Sequence, residues 1–150
     1  RGHLALIVAV DPGTTCTGVA VFQNEILISC YLPRGKTWID TFRALPTLRP
    51  DVLVVEDPRI YPVSKARPND ILKLARSVGA VVAKIDAPET RLVTPATWKK
   101  SVPKRIHQKR IFKALNEQEK AVLNNCDCPK SLLHNTVDAV GIGLWFLKRL

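Results

Sequence analysis

Three acidic residues of this chain stand inside apolar stretches, where a charge is expensive. Asp11 closes LALIVAVD, Glu56 closes DVLVVE, and Asp138 lies within HNTVDAVGIGLW. Buried carboxylates persist when they are paired or bound to a cation. Magnesium and manganese prefer oxygen ligands, and one or two carboxylates with substrate phosphate usually complete the shell. Two such ions about 3.5 to 4 Å apart activate a water and stabilise the leaving oxygen in phosphodiester hydrolysis. Asp11 also precedes a Pro12-Gly13-Thr14 turn, which suits a metal or a phosphate. His134 and Asn135 lie four and three residues before Asp138, so on a helix they share its face and offer a ligand or a proton carrier.

Carboxylates alone repel a polyanion, so a basic surface has to accompany them. The formal charge is +10, with a pI near 9.8. Such a balance points to a polyanionic partner. Between Pro95 and Lys113 the residues Lys99, Lys100, Lys104, Arg105, Lys109, Arg110 and Lys113 occur with no acid among them, so this stretch carries 7 of the 10 net charges. Trp98 reads as core and His107 as surface.

The elements that would position these groups follow from periodicity. Ile7 to Val10 reads as a strand covered on both faces. Gly18 to Phe22 and Glu25 to Leu32 continue it as an antiparallel meander, broken at Gln23-Asn24. Thr37 to Leu45 is a short amphipathic helix, with Trp38, Ile39, Phe42 and Leu45 at helical spacing. Asp51 to Glu56 then pairs parallel with a strand of the meander through the crossover. If that partner is the first strand, Asp11 and Glu56 emerge side by side. Asp57 reads as a turn residue on the other face.

Pro58 to Pro68 reads as an exposed loop, and Asn69 as the cap of a helix from Asp70 to Ile85. Leu92-Val93 is a further short strand. His107 to Leu123 is a helix, and Leu132 to Leu150 a final buried one that can carry Asp138 across the sheet edge. Gly141 and Gly143, each costing a helix about 1 kcal/mol against alanine, point to close packing there. The class is α/β: a mixed sheet, antiparallel and then parallel, flanked by helices.

At 150 residues and 46% hydrophobic, the expectation is one domain with a real core. No apolar run reaches membrane-span length and no signal-peptide layout is present, so a soluble, intracellular protein is expected. The sequence contains no methionine, and no fold expectation is placed on its first residues. Cys16, Cys30, Cys126 and Cys128 read as reduced thiols, and Cys126-x-Cys128 is a poor zinc half-site.

Taken together, these residues resemble the RuvC-type Holliday junction resolvases of the RNase H-like superfold, in a phage or otherwise divergent form. DPGTTCTGVAVF looks like the first motif, VVED the glutamate strand, PATWKKSV with KRIHQK the basic loop and helix start, and HNTVDAVGIGLW the C-terminal acidic helix. The resemblance implies a five-stranded mixed sheet, and a homodimer that resolves four-way or other branched DNA. It implies two Mg2+ per site, with Mn2+ as substitute, held by Asp11, Glu56 and Asp138, with Asn135 or His134 beside it as the residue that completes the metal site. It also gives Lys99 and Lys109 the roles of the family's DNA-binding and phosphate-stabilising lysines, with Lys104 or Arg105 able to replace Lys109, which is one residue out of step. His134 is read as a catalytic proton carrier, and Lys100, Lys104, Arg105, Arg110, Arg59 and Tyr61 as further DNA contacts.

Two positions depart from that pattern. Asn135 stands where the family has an aspartate or a histidine. Arg59, with Tyr61 following, occupies the region where the family often has an aromatic that inserts at the junction. No membrane and no small-molecule cofactor are expected. Two other readings stay open. One is a non-catalytic binder of branched nucleic acid with the same fold. The other is an actin-like sugar kinase, which shares Asp-x-Gly-Thr-Thr but needs two such domains.

Overall fold

The computed structural model describes residues 5–59 and 67–150. The expected loop from Pro58 to Pro68 therefore falls mostly outside the described residues. Five strands form one sheet: β1 (Leu6–Asp11), β2 (Gly18–Gln23), β3 (Ile26–Tyr31), β4 (Val52–Glu56) and β5 (Glu89–Val93). Their order is β3-β2-β1-β4-β5. The β1–β2 and β2–β3 pairs are antiparallel, and the β1–β4 and β4–β5 pairs parallel. This is the expected RNase H-like mixed sheet.

The turn between β2 and β3 is Asn24-Glu25, with φ of 53° and 67°. Two consecutive left-handed residues form the tight hairpin that matches strand twist, so Glu25 belongs to the turn and not to the strand.

Strand alternation divides the core in two. Ile7 and Ala9 of β1, with Val52 and Val54 of β4, face one layer. Val8, Val10, Leu53 and Val55 face the other. The second layer lies under α1 (Trp38–Arg43), capped by Thr37, and α2 (Pro68–Lys84). Ile39 is exposed and Thr41 turns inward instead, its hydroxyl donating to the Thr14 and Thr37 carbonyls. The cap position of α2 is Arg67, not Asn69. Pro68, which has no N–H to lose at a helix start, moves the boundary back.

The first layer lies under α3 (Pro95–Trp98), α4 (Lys104–Ala114), α5 (Glu117–Asn124) and α6 (Leu133–Phe146), which follows a 3-10 turn at Lys130–Leu132. The single helix expected from His107 to Leu123 is two. Asn116 caps α5 in a reciprocal capping box with Glu119, an arrangement whose N-x-x-E signature is present in the sequence.

The final helix stops at Phe146, short of the expected Leu150. Lys148 adopts a left-handed φ of 58°, and Arg149 N–H bonds back to the Leu144 carbonyl, a Schellman closure. Beyond it Lys148 and Leu150 are exposed. All four cysteines are free. Among the described residues no helix is long and apolar enough to cross a membrane.

Candidate active site

Alternation along two parallel strands brings the first pair of acids together. Val10 pairs with Val55 in the β1–β4 register, so Asp11 and Glu56 leave the sheet side by side. Counting by twos from Ala9 and Val54 puts both carboxylates on the layer that α6 covers.

Glycines let α6 come close. A Cβ on Gly18 would lie 2.1 Å from the Asn135 carbonyl oxygen, and one on Gly143 would meet the Phe22 ring at 2.1 Å. A Cβ on Gly141 would meet Ile111 and Trp98 at 2.6 and 2.7 Å. The close packing expected of Gly141 and Gly143 is present. It delivers Asp138, 7% exposed, over the strand ends.

The three carboxylates feel one another. Burial pushes Asp11 well above the usual carboxylate range, the charges of Glu56 and Asp138 push it further, and Lys99 opposes them. Asp11 and Glu56 act directly on one another, and two carboxylates held that way are relieved by a proton or a cation. Glu56 is raised by burial, against the Trp98 indole N–H that donates to its Oε2 at 2.5 Å. Asp138 is raised by burial too, with Lys99, Lys104, His107 and His134 opposing. Its Oδ2 lies 3.9 Å from Lys99 Nζ, and its buried Oδ1 has no partner.

Among the described residues, no group of three His, Cys, Asp or Glu side chains is arranged to hold a metal ion. A cation would have to draw these acids inward. The donors nonetheless fit one: all are carboxylate oxygens, one is an orphaned buried acceptor, and mutual repulsion favours a hard divalent ion.

The turn after Asp11 is closed on itself. Gly13 N–H donates to Thr17 Oγ1, Thr17 N–H to the Pro33 carbonyl, and Gly35 N–H to the Thr15 carbonyl. A Cβ on Gly13 would lie 2.1 Å from the Cys16 carbonyl oxygen, so only glycine fits there. Gly13 N–H is thus spent within the turn, which removes the amide that a phosphate-binding reading would use first.

The remaining expected residues divide. Lys99 reaches the acids. Lys104 is exposed, yet its charge acts on Asp138. Lys100, Arg105, Lys109 and Arg110 are exposed. Lys109 is two residues past the inward-facing His107, on the opposite side of α4, because successive helical residues turn by about 100°. The structure does not bring it to the carboxylates. His134 sits at the start of α6 with Nδ1 3.1 Å from the Ser131 carbonyl, and its charge acts on Asp138. The Asn135 amide is used locally, donating to the Leu132 carbonyl at 3.1 Å. Arg59 is exposed and pairs loosely with Asp57, whose own N–H donates to the Val93 carbonyl. Tyr61 lies outside the described residues.

Two groups acquire roles that sequence alone did not assign. Trp98 is core, as expected, and also fixes Glu56. His107 is not on the surface: it is 4% exposed, its ring 4.9 Å from that of Trp98, and its Nε2 has no partner. Burial lowers its pKa. The signal was there, since His107 and Ile111 are one helical turn apart on the apolar side of α4.

No family model and no curated protein matches the chain. Solved structures do. T. thermophilus RuvC in complex with a Holliday junction substrate is 16% identical, with a TM-score of 0.54, over 94% of this chain and 91% of that one. A second Thermus thermophilus RuvC structure is 13% identical, with a TM-score of 0.55, over 93% and 92%. The yeast mitochondrial Holliday junction resolvase Ydc2 is 13% identical, with a TM-score of 0.50, over 97% and 82%. At such identities the likeness establishes the fold, which is of the RuvC type.

Proposed function

We propose that this chain is a divalent-metal-dependent, structure-selective endodeoxyribonuclease that resolves Holliday junctions or other branched DNA. The observation that carries this reading is the convergence of Asp11, Glu56 and Asp138 from three elements, with raised carboxyl pKa values and an orphaned Oδ1. It stands beside a stretch holding seven cations and no acid. When bound, two Mg2+, or Mn2+ in their place, supply charge neutralisation, an acidified water and stabilisation of the leaving oxygen.

The protein's own groups do the rest. Asp11, Glu56 and Asp138 hold the ions, and the Trp98 indole keeps Glu56 in one orientation. Lys99 faces incoming phosphate charge at the edge of the site, with Lys104 behind it. His134 is placed to carry a proton at the start of α6. Lys100, Arg105, Lys109 and Arg110 neutralise neighbouring phosphates, so affinity should fall steeply with salt. The reading includes one nuclease domain over residues 1–150 and a homodimer joined through α2. It places the protein in the cytoplasm or another DNA-containing compartment.

The test is a labelled four-way junction beside three-way and flap substrates, with Mg2+ or with EDTA. Metal-dependent cleavage is expected, abolished by Asp11→Asn, Glu56→Gln or Asp138→Asn while binding remains. A second reading, a non-catalytic binder of branched nucleic acid, is favoured by the neutral Asn135 standing at the start of α6 where a charged ligand would be expected, with its Nδ2 donated to the Leu132 carbonyl. Saturating binding with no cleavage by the wild type would establish it and sink the nuclease.

A further inference from the structure

Beside the Trp98–His107 ring pair, a groove of about 480 Å3 opens between α3, α4 and the C-terminal end of α6. That volume falls within the roughly 300–1,000 Å3 of pockets that take drug-sized ligands. Lys99, Lys100, Arg110 and Lys113 line it, and no acidic side chain does so among the described residues. Arg149, also in the lining, is committed to Glu119 and to the Glu25 and Ala114 carbonyls, so it forms fixed wall. Between the cations the surface is apolar, with the half-buried Trp145 beside Val102 and Leu150.

Two further observations mark a binding surface rather than a solvated face. His107 belongs to the lining, and its nine-tenths-buried Nε2 has no protein partner. Lys100, at the lip, holds a left-handed φ of 56°, a conformation that glycine adopts freely and lysine rarely. There the chain keeps a charge where backbone ease would favour none.

We propose that this groove takes an unpaired nucleotide of a DNA strand, with its base against Trp145 and the apolar floor and its phosphates on Lys100, Arg110 and Lys113. Alternating cations with an aromatic platform is how single strands are held without sequence preference. A duplex offers this surface phosphates but no unstacked ring. Lys99 and Trp98 border both the groove and the acids, so a strand cut at the acids would have its neighbouring nucleotide here. That last connection rests on the nuclease reading; the groove itself does not.

The experiment uses the full chain in EDTA, titrated into a dye-labelled short oligothymidylate and, separately, a labelled duplex of equal length, and follows the anisotropy of the dye. Lys113→Glu, at an exposed position outside the acid site, should weaken single-strand binding about tenfold or more and duplex binding by less than about threefold. Arg49→Glu, exposed in the loop before β4, controls for net charge and should spare both. Trp145→Phe should retain most of the single-strand affinity, and Trp145→Ala should lose about fivefold or more. Equal losses on both probes with Lys113→Glu, or no single-strand binding by the wild type, would overturn the proposal. Junction cleavage is scored apart: its failure with single-strand binding intact sinks the nuclease and leaves the groove.

Discussion

Asp138→Asn should make the metal-free protein more stable while destroying the proposed activity. In the wild type the buried Oδ1 has no partner, and an unsatisfied buried acceptor costs about 1–3 kcal/mol. The compensating contact is weak. Lys99 Nζ stands 3.9 Å away on a side chain 28% exposed, worth less than about 1 kcal/mol. An asparagine keeps the shape, drops the repulsion with Asp11 and Glu56, and brings an amide that can donate to either. The expected gain in EDTA is about 1–2 kcal/mol, a rise in Tm of roughly 2–8 °C for a chain of this size.

The pH dependence has a definite sign. All three carboxyls are raised in the fold, so the native state binds more protons than the unfolded chain above the ordinary carboxyl range. Their contribution is fully present below about pH 4 and is lost as pH rises through the folded values. Asp138→Asn should flatten that fall. Added Mn2+ should reverse the comparison, stabilising the wild type by about 2.7 kcal/mol at a hundredfold excess over Kd and the variant far less. Differential scanning fluorimetry with EDTA and with Mn2+ reads both effects. A lower Tm for the variant in EDTA, or an undiminished metal-induced rise, would refute the reasoning.

Other expectations follow from particular contacts. Lys99→Ala should lower cleavage more than binding, whereas Lys109→Ala, on the far side of α4, should act mainly on binding and reduce the salt slope by about one; junction cleavage and binding at several salt concentrations separate them. Arg149→Ala should cost about 3–5 kcal/mol in urea unfolding, because Glu119, 0% exposed, loses its cation and two bonds of 2.7 and 2.8 Å and keeps the Leu27 and Asn116 N–H donors. Hydrogen bonds from Arg149, Leu27 and Asn116 outweigh burial and lower the Glu119 pKa, so its support is present above about pH 4.5 and is lost as pH falls through its folded value. Gly18→Ala drives a Cβ to 2.1 Å from a backbone oxygen of α6 and should destabilise by about 1–3 kcal/mol, read in the same unfolding assay.

The sequence by itself determined the strands, their alternation and the acids at their ends. Runs such as IVAV and VLVV allow little but buried strand, and a carboxylate closing each run has nowhere else to go. It also determined that the glycines of the last helix mark close packing, since they weaken a helix otherwise. What it left open depended on which side of an element faces which neighbour. His107 looked like a surface residue because its neighbours in sequence are charged; only the docking of α4 on α6 buried it. Lys109 and Lys104 are interchangeable by composition, and the helical phase of α4 gave the nearer place to Lys104. Asn135 offers an amide oxygen in any list of residue types; only the start of α6 shows that its Nδ2 is committed to the Leu132 carbonyl, leaving Oδ1 as the atom a cation would use. The groove beside the site joins α3, α4 and the end of α6, segments separated in sequence. Periodicity reports each element's buried face, but not the meeting of faces that long-range packing alone brings together.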